Sequence, residues 1–292
     1  MEVVISQQIR RTGVIGAGTM GNGIAQVFAV AGYPVIMRDL NRAALDRGLS
    51  TIANSLGRLV AREKVSASDS EQALGRIHAT TELKDLADCD LVVEAILENF
   101  ELKAGLVREL DQVCRPDAIF ATNTSSISVT RIAASSSSPR RVIGMHFFNP
   151  VPIMQLVEII RALQTSDETC ATTVAMTEAI GKKARVSKDS YGFVVNRVLI
   201  PMINEAINCV YEGLATPEDV DAMMQLGANH PMGPLSLADL IGLDIVLDIM
   251  QTLYDGFDDP KFRPSPLLKQ MCDAGYLGRK TARGFFSYEA RH

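Results

Sequence analysis

A glycine-rich turn set between a strand and a helix constrains this chain more than any other feature. The short apolar run Thr12–Ile15 ends directly at Gly16-Ala17-Gly18-Thr19-Met20-Gly21, and a helical pattern follows to near Gly32. In such a G-x-G-x-x-G turn the first glycine permits the tight bend and the second lets backbone approach a pyrophosphate. The third lets helix and strand pack closely, while the helix N-terminus faces the phosphates. Glycine turns are common, and the setting gives this one its weight. A second short strand, Val35–Arg38, leads into Asp39, roughly twenty residues past Gly16, where a carboxylate accepts hydrogen bonds from an adenosine ribose and repels a 2′-phosphate. If Arg38 and Asp39 both lie on the strand, alternation turns the Arg38 side chain to the opposite face. Gly16, Gly18, Gly21 and Asp39 together point to NAD.

The alternation of apolar runs and helical patterns continues. Leu91–Val93 and Ala118–Ala121 read as buried strands with a helix from Glu98 to about Val113 between them, and Val142–Met145 and Leu156–Ile160 extend the sheet. Leu45, Leu49, Ile52, Leu56 and Leu59 recur at helical spacing and mark one stripe of a long amphipathic helix. From Tyr191 onward the pattern is helical throughout: Phe193 to Tyr211, Pro217 to Leu226, and Ser236 to about Tyr254. The expected fold is α/β, a Rossmann-type doubly wound sheet over residues 1–188 followed by an all-helical domain over 189–292. Ser135–Ser138 is expected to be an exposed loop.

Composition removes several function classes. With 292 residues the length suits two domains, and 47% hydrophobic content excludes disorder as the main state. A net charge of -5 argues against a protein built to neutralise nucleic-acid phosphates. No apolar run approaches the roughly 18 residues of a membrane span, and MEVVISQQIRR is too short and polar for a secretory signal. Cys89, Cys114, Cys170, Cys209 and Cys272 are scattered with no C-x-x-C pair, which supports neither zinc nor a disulfide framework. A reduced, cytoplasmic protein with no metal, no membrane and no nucleic-acid partner is expected.

Hydride transfer from an alcohol requires a base for the hydroxyl proton, or an acid in reverse. Of the four histidines, His292 is terminal, His78 lies between a helix and the next strand without polar company, and His230 lies in a helical-domain loop. His146 follows the strand Val142–Met145 and so lies at the strand end where parallel sheets place ligands. Glu158, embedded in Leu-Val-Glu-Ile-Ile, is costly to bury without a partner. A His146–Glu158 pair would satisfy both groups, though the sequence leaves open whether they touch. The cluster Thr122–Ser126 follows a strand end and is expected to line the same edge with its hydroxyls, and Asn196 opens the helical domain.

At this level of detail the chain resembles the L-3-hydroxyacyl-CoA dehydrogenases, particularly the single-function bacterial 3-hydroxybutyryl-CoA dehydrogenases. The resemblance runs over essentially the whole chain, through VIGAGTMGNGIA, VVEAILEN, ATNTSSIS, GMHFFNPVPIMQLVEII, YGFVVNRVLIPMINEA, GANHPMGPLSLADLIGLD and GRKTARGFFSY. It implies that His146 is the general acid/base, Glu158 its orienting partner, and Ser125 and Asn196 the groups that hold the substrate's C3 oxygen. It implies NAD contacts at Gly16, Gly18, Gly21, Asp39, Glu98, Lys103, Ser125, Asn149 and Lys280, and CoA contacts at Ser55, Arg62 and Ser125. It further implies a short-chain acyl-CoA substrate and a homodimer through the helical domain, with LADLIGLDIVLDIM as contact or as core. Departures from the family pattern fall at Arg62, where lysine is usual, at Gln155, and at Ala282, where glycine is commoner.

Rival readings differ in specific residues. The β-hydroxyacid dehydrogenases place a lysine four residues after the interdomain asparagine, and here that position is Ile200. Tyr276 and Lys280 match the Y-x-x-x-K of short-chain reductases, but with Gly278 between them and no helix expected. A gulonate-type dehydrogenase of the same superfamily would keep Ser, His and Asn and lack the CoA-binding helix. A non-enzymatic dinucleotide-binding protein would not need the four polar residues. No hydratase segment precedes the turn, so a two-activity protein is not expected.

Overall fold

The computed structural model describes residues 8–289. The N-terminal segment read above for a secretory signal falls partly, and His292 wholly, outside those residues. The chain divides into two compact units between Asp189 and Ser190.

The first unit runs β1 (Thr12–Ile15), α1 (Thr19–Val30), β2 (Val35–Arg38), α2 (Arg42–Ala61), α3 (Ala67–Gly75) and β3 (Ile77–Thr80). It continues through β4 (Leu91–Glu94), α4 (Phe100–Val113), β5 (Ile119–Thr122), α5 (Val129–Ala133), β6 (Val142–Phe147), β7 (Leu156–Arg161), α6 (Asp167–Ala179) and β8 (Lys183–Lys188). The eight strands form one sheet in the order β3-β2-β1-β4-β5-β6-β7-β8. All neighbours are parallel except β6 and β7, so the expected doubly wound sheet carries one antiparallel pair. The order reverses on either side of β1, between β2 and β4, and such a switch point opens a crevice at the strand C-termini. Core side chains such as Val14, Ile24, Phe28, Met37, Ile52, Val93 and Met145 are fully buried.

The two strands absent from the sequence reading are β3 and β8, IHAT and KARVSK. Both are edge strands with a single buried residue each, Thr80 and Ala184, so neither carries an apolar run to recognise. His78 accordingly sits within β3, not between elements.

The second unit is helical: α7 (Val195–Tyr211), α8 (Pro217–Ala228), α9 (Pro234–Ile241), α10 (Leu243–Phe257) and α11 (Pro266–Asp273). The single helix expected over Ser236–Tyr254 is in fact α9 and α10, broken at Gly242, whose φ of 106° ends one helix and starts the next. Apolar spacing continues across the break, which hides it from periodicity. Most apolar residues of LADLIGLDIVLDIM, including Leu243, Val246, Ile249 and Met250, are core, while Leu240 and Ile245 are exposed. Lys280 sits within a 3₁₀ turn at Arg279–Thr281 and Tyr276 precedes it, so no active-site helix carries the two.

Ala282 adopts φ 58°, a left-handed conformation that costs an L-residue roughly 1–2 kcal/mol and glycine little. Ala282→Gly is therefore expected to stabilise the protein by about 0.5–1 kcal/mol after glycine's extra unfolded-state entropy is subtracted. Denaturant unfolding checks this; an unchanged or lowered midpoint would contradict it.

All five cysteines are free thiols. Burial pushes Cys89 up to about 12 and Cys114 up to about 11. Since the thiolate is the reactive form, neither is expected to react with Ellman's reagent at neutral pH until denaturant is added. Rapid native labelling of either would show the core to be open.

Candidate active site

The glycine-rich turn opens onto the crevice between β1 and β4. Gly16 has φ 99°, and a Cβ there would lie 2.5 Å from the Ala95 carbonyl oxygen. At Gly21 a Cβ would stand 1.7 Å from the Gly16 carbonyl oxygen, so no side chain fits where α1 meets the turn. Gly18 differs: the space around its missing side chain is open to 4 Å, which suits backbone approach by a phosphate at the start of α1. Asp39 is fixed from both sides, its two oxygens accepting from the Ala17 N–H at 2.8 Å and the Asn41 N–H at 3.1 Å. Gly16, Gly18, Asp39 and the Ala95–Leu97 segment line a cavity of about 630 Å³. Arg38 lines it too, contrary to the expected opposite face, because β2 ends at Arg38 and alternation no longer governs Asp39. The Arg38 Nε donates to the Thr81 carbonyl.

Next along the crevice, a chain of charges grips the Ser125 turn. The β4–β5 register sets Glu94 beside Thr122, whose hydroxyl donates to Glu94 at 2.8 Å. The other Glu94 oxygen accepts from the Ile96 N–H and from Lys103 Nζ at 2.6 Å. Lys103 is 1% exposed, and its ammonium also lies 3.3 Å from Glu98. Glu98 in turn accepts from the Thr124 hydroxyl and from the backbone N–H of Ser125 at 2.9 Å and Ser126 at 3.1 Å. Burial raises the Glu98 carboxyl, but Lys103 and these donors outweigh it and hold the group below the usual carboxylate range. Of the hydroxyls expected to line the ligand edge, those of Thr122 and Thr124 point inward to Glu94 and Glu98 instead. The sequence reading missed Glu94, a carboxylate that closes an apolar strand just as Glu158 interrupts one.

His146 and Glu158 face each other directly in the antiparallel β6–β7 register, so their side chains share a face. His146 Nδ1 lies 2.8 Å from Glu158 Oε2, and both side chains are buried. His146 is the fifth residue of β6, which runs on to Phe147, so it lies inside the strand end. The Phe148 ring sits 4.5 Å from the imidazole, and the Phe147 N–H donates to Asn123 Oδ1 at 2.8 Å, tying β6 to the loop that carries Ser125. Asn149 is exposed in the turn that follows.

The chain that carries this nucleotide crevice, hydroxyl turn and buried imidazole–carboxylate pair matches known proteins over nearly all of its length. The family models "3-hydroxyacyl-CoA dehydrogenase, NAD binding domain" and "3-hydroxyacyl-CoA dehydrogenase, C-terminal domain" match residues 11–190 and 192–288. The chain belongs to the 3-hydroxyacyl-CoA dehydrogenase family. A probable 3-hydroxybutyryl-CoA dehydrogenase of Deinococcus radiodurans is 55% identical over 94% of this chain and 99% of its own length. The 3-hydroxybutyryl-CoA dehydrogenase of Bradyrhizobium diazoefficiens is 51% identical over 96% of each. Among solved structures, an (S)-3-hydroxybutyryl-CoA dehydrogenase from Ralstonia eutropha superposes with a TM-score of 0.95 at 52% identity, covering 97% of this chain and 100% of that one. Membership makes this chain an NAD-dependent oxidoreductase.

The remaining sites that the 3-hydroxyacyl-CoA dehydrogenase resemblance implies lie on α2, on α7 and in the C-terminal strap. Ser55 is half-buried on α2, and exposed Arg62 caps that helix at its C-terminus. In the second unit, Asn196 is 8% exposed in the first turn of α7. Lys280 there donates to both carboxylate oxygens of Asp244. Buried Asp239 accepts from the Phe285 and Phe286 N–H groups and the Tyr288 hydroxyl, docking the C-terminal strap that carries Lys280. No helix among the described residues is long and apolar enough to cross a membrane.

Proposed function

We propose that the chain interconverts (S)-3-hydroxyacyl-CoA and 3-oxoacyl-CoA, with short acyl chains such as 3-hydroxybutyryl preferred. The NAD-binding domain would span 1–188 and the substrate and dimerisation domain 189–292. The single observation that carries this reading is the buried His146–Glu158 pair at 2.8 Å, at the ligand end of β6. Bound NAD supplies the hydride acceptor, and the chain's own groups manage the proton. With Glu158 accepting from Nδ1, the His146 Nε2 exchanges the proton of the C3 hydroxyl, and the carboxylate stabilises the imidazolium that results. Ser125 and Asn196 hold the C3 oxygen and polarise it in the ketone. The open space at Gly18 and the tethered carboxylate of Asp39 suit the pyrophosphate and adenosine ribose of NAD. Lys103 is too buried to reach a ligand, so its part is to hold Glu98.

The deciding experiment follows NADH oxidation with acetoacetyl-CoA, free acetoacetate and a keto-gulonate. Turnover with the CoA ester alone is expected; activity only with the sugar acid would move the substrate class, and silence with all three while NADH still binds would revive the non-enzymatic reading. Glu158→Gln is expected to lower kcat roughly 10–100-fold, the cost of replacing a hydrogen bond to a charged group by a neutral one. An unchanged kcat and pH–rate profile would count against the pair. The dimer is proposed to form through the helical unit, where Val198, Met223, Leu226, Leu240 and Ile245 expose apolar surface. A monomeric mass by light scattering would refute it.

A further inference from the structure

One cation, Arg38, lines the nucleotide cavity beside Asp39. It is the last residue of β2, where alternation turns Met37 into the core and leaves Arg38 half-buried, paired in register with Thr80 of β3. Its Nε donates to the Thr81 carbonyl at 3.3 Å, which restrains the side chain within the lining that Gly16, Gly18 and Asp39 share.

A guanidinium carries five N–H donors in a planar fork, and that bond uses one of them. The four on Nη1 and Nη2 meet no acceptor among the described residues, and no carboxylate there pairs with the charge. Arg42, four residues on, differs: its Nε lies 3.1 Å from Asp46. Asp39 does not engage Arg38 either, although it is the next residue, because its two oxygens accept from the Ala17 and Asn41 N–H groups. The other carboxylates that line the cavity, Glu101 and Glu109, stand on α4, which follows β4 on the far side of β1 from β2. A tethered guanidinium with its fork open, at the wall of a nucleotide cavity, calls for an anion with paired oxygens. Phosphate is such an anion, and arginine meets it with two parallel N–H···O bonds.

The dinucleotide identifies which phosphate. Its pyrophosphate suits the Gly18 end of the cavity, where the backbone is open and α1 begins. Asp39 suits the adenosine ribose, and Arg38 adjoins Asp39 on the same wall, so a phosphate for Arg38 is one carried by that ribose. We propose that Arg38 is a specificity-determining residue that receives the 2′-phosphate of NADP(H), and that preference for NAD rests on the Asp39 charge alone. The two side chains then oppose each other at a single ribose position. Asp39 accepts from the hydroxyl of NAD and repels a phosphate dianion, while Arg38 attracts the dianion. NADPH is accordingly a weak second coenzyme of the wild-type protein, and removal of one negative charge makes it a good one.

Fluorescence titration gives Kd for NADH and NADPH on the full chain with no acyl substrate present, so the result does not depend on the substrate proposed above. Wild type is compared with Arg38→Leu, Asp39→Asn and the double variant. Asparagine keeps the shape of aspartate and an oxygen for the Ala17 N–H, so the turn stays tethered while the charge is lost. Asp39→Asn is expected to raise the affinity for NADPH relative to NADH by about tenfold or more. Arg38→Leu should lower that ratio about 10–100-fold in either background, the worth of a hydrogen bond to a charged group. Adenosine 2′,5′-bisphosphate should displace NADH from Asp39→Asn, and at the same concentration leave it bound to the double variant, which places the effect at the 2′-phosphate. Where wild type binds NADPH too weakly to titrate, Asp39→Asn against the double variant gives the same comparison. A ratio unmoved by Arg38→Leu, no gain in Asp39→Asn, or a gain that survives in the double variant would each overturn the assignment.

Discussion

Replacing His146 by alanine is expected to cost about 10²–10⁴ in kcat, the range for removing a positioned general acid/base. NADH should still bind with near wild-type affinity. The separation follows from where the groups sit. The imidazole is on β6, while the Gly16–Gly21 turn and Asp39 belong to β1 and the end of β2, two strands of parallel pairing away across β4 and β5. The substitution also leaves the buried Glu158 carboxylate without the Nδ1 contact, so some loss of stability accompanies the loss of rate. His146→Gln serves as the companion variant: its side-chain amide can still donate to Glu158 but cannot carry a proton at neutral pH. If both variants lose kcat alike while only the alanine form melts early, the rate effect is proton transfer and the stability effect is the lost Nδ1 contact to Glu158. Steady-state kinetics, NADH fluorescence titration and thermal melts read the three quantities. Near-normal turnover in the alanine variant would sink the role given to His146.

The parts of this site legible in the sequence are those where one residue breaks a local rule. Glycines at Gly16 and Gly21 fill positions where no Cβ fits, and such positions show in the sequence as an invariably spaced motif beside a strand. Glu158 showed because a charge inside Leu-Val-Glu-Ile-Ile demands a partner. What the sequence could not supply is the register that sets His146 opposite Glu158, since cross-strand pairing depends on a turn whose geometry is not written in its spacing. Glu94 carries a weaker form of the same signal, since a carboxylate that closes an apolar strand can reach water where one inside it cannot, and no histidine suggests chemistry for it. Edge strands β3 and β8 were illegible for a different reason: their backbones are paired on one side only, and their side chains are too exposed to leave an apolar pattern. The break at Gly242 was marked by its glycine but masked by apolar spacing that continues through it.

Lys103→Met carries the largest expected effect on stability. Methionine keeps the length and helix propensity of lysine within α4, so the change is close to a removal of charge alone. In the native protein Lys103 balances two carboxylates, Glu94 at 2.6 Å and Glu98 at 3.3 Å, with the Lys103 and Glu94 side chains 1% and 5% exposed. Removing one member of a buried pair strands the other, which costs about 3–5 kcal/mol. For a unit of this size that lowers Tm by on the order of 10 °C. The pH dependence gives the test its sign. In wild type the folded pKa of Glu98 lies below its unfolded value, so its contribution is present above the unfolded pKa and is lost as pH falls through the folded one. In the variant burial acts on Glu98 without the Lys103 charge that opposed it, so its folded pKa rises from its wild-type position. The stability lost is that of the ionised carboxylate, present at neutral pH and fading as the group is protonated. The gap in Tm between variant and wild type is therefore expected to be widest near pH 7 and to narrow toward about pH 4, where unfolded-state carboxylates titrate. Because Glu98 also grips the Ser125 and Ser126 N–H groups, KM for the ketone should rise alongside the loss of stability. A Tm gap that stayed constant across this pH range would show that Lys103 acts through packing, and that its charge is not what secures the Ser125 turn.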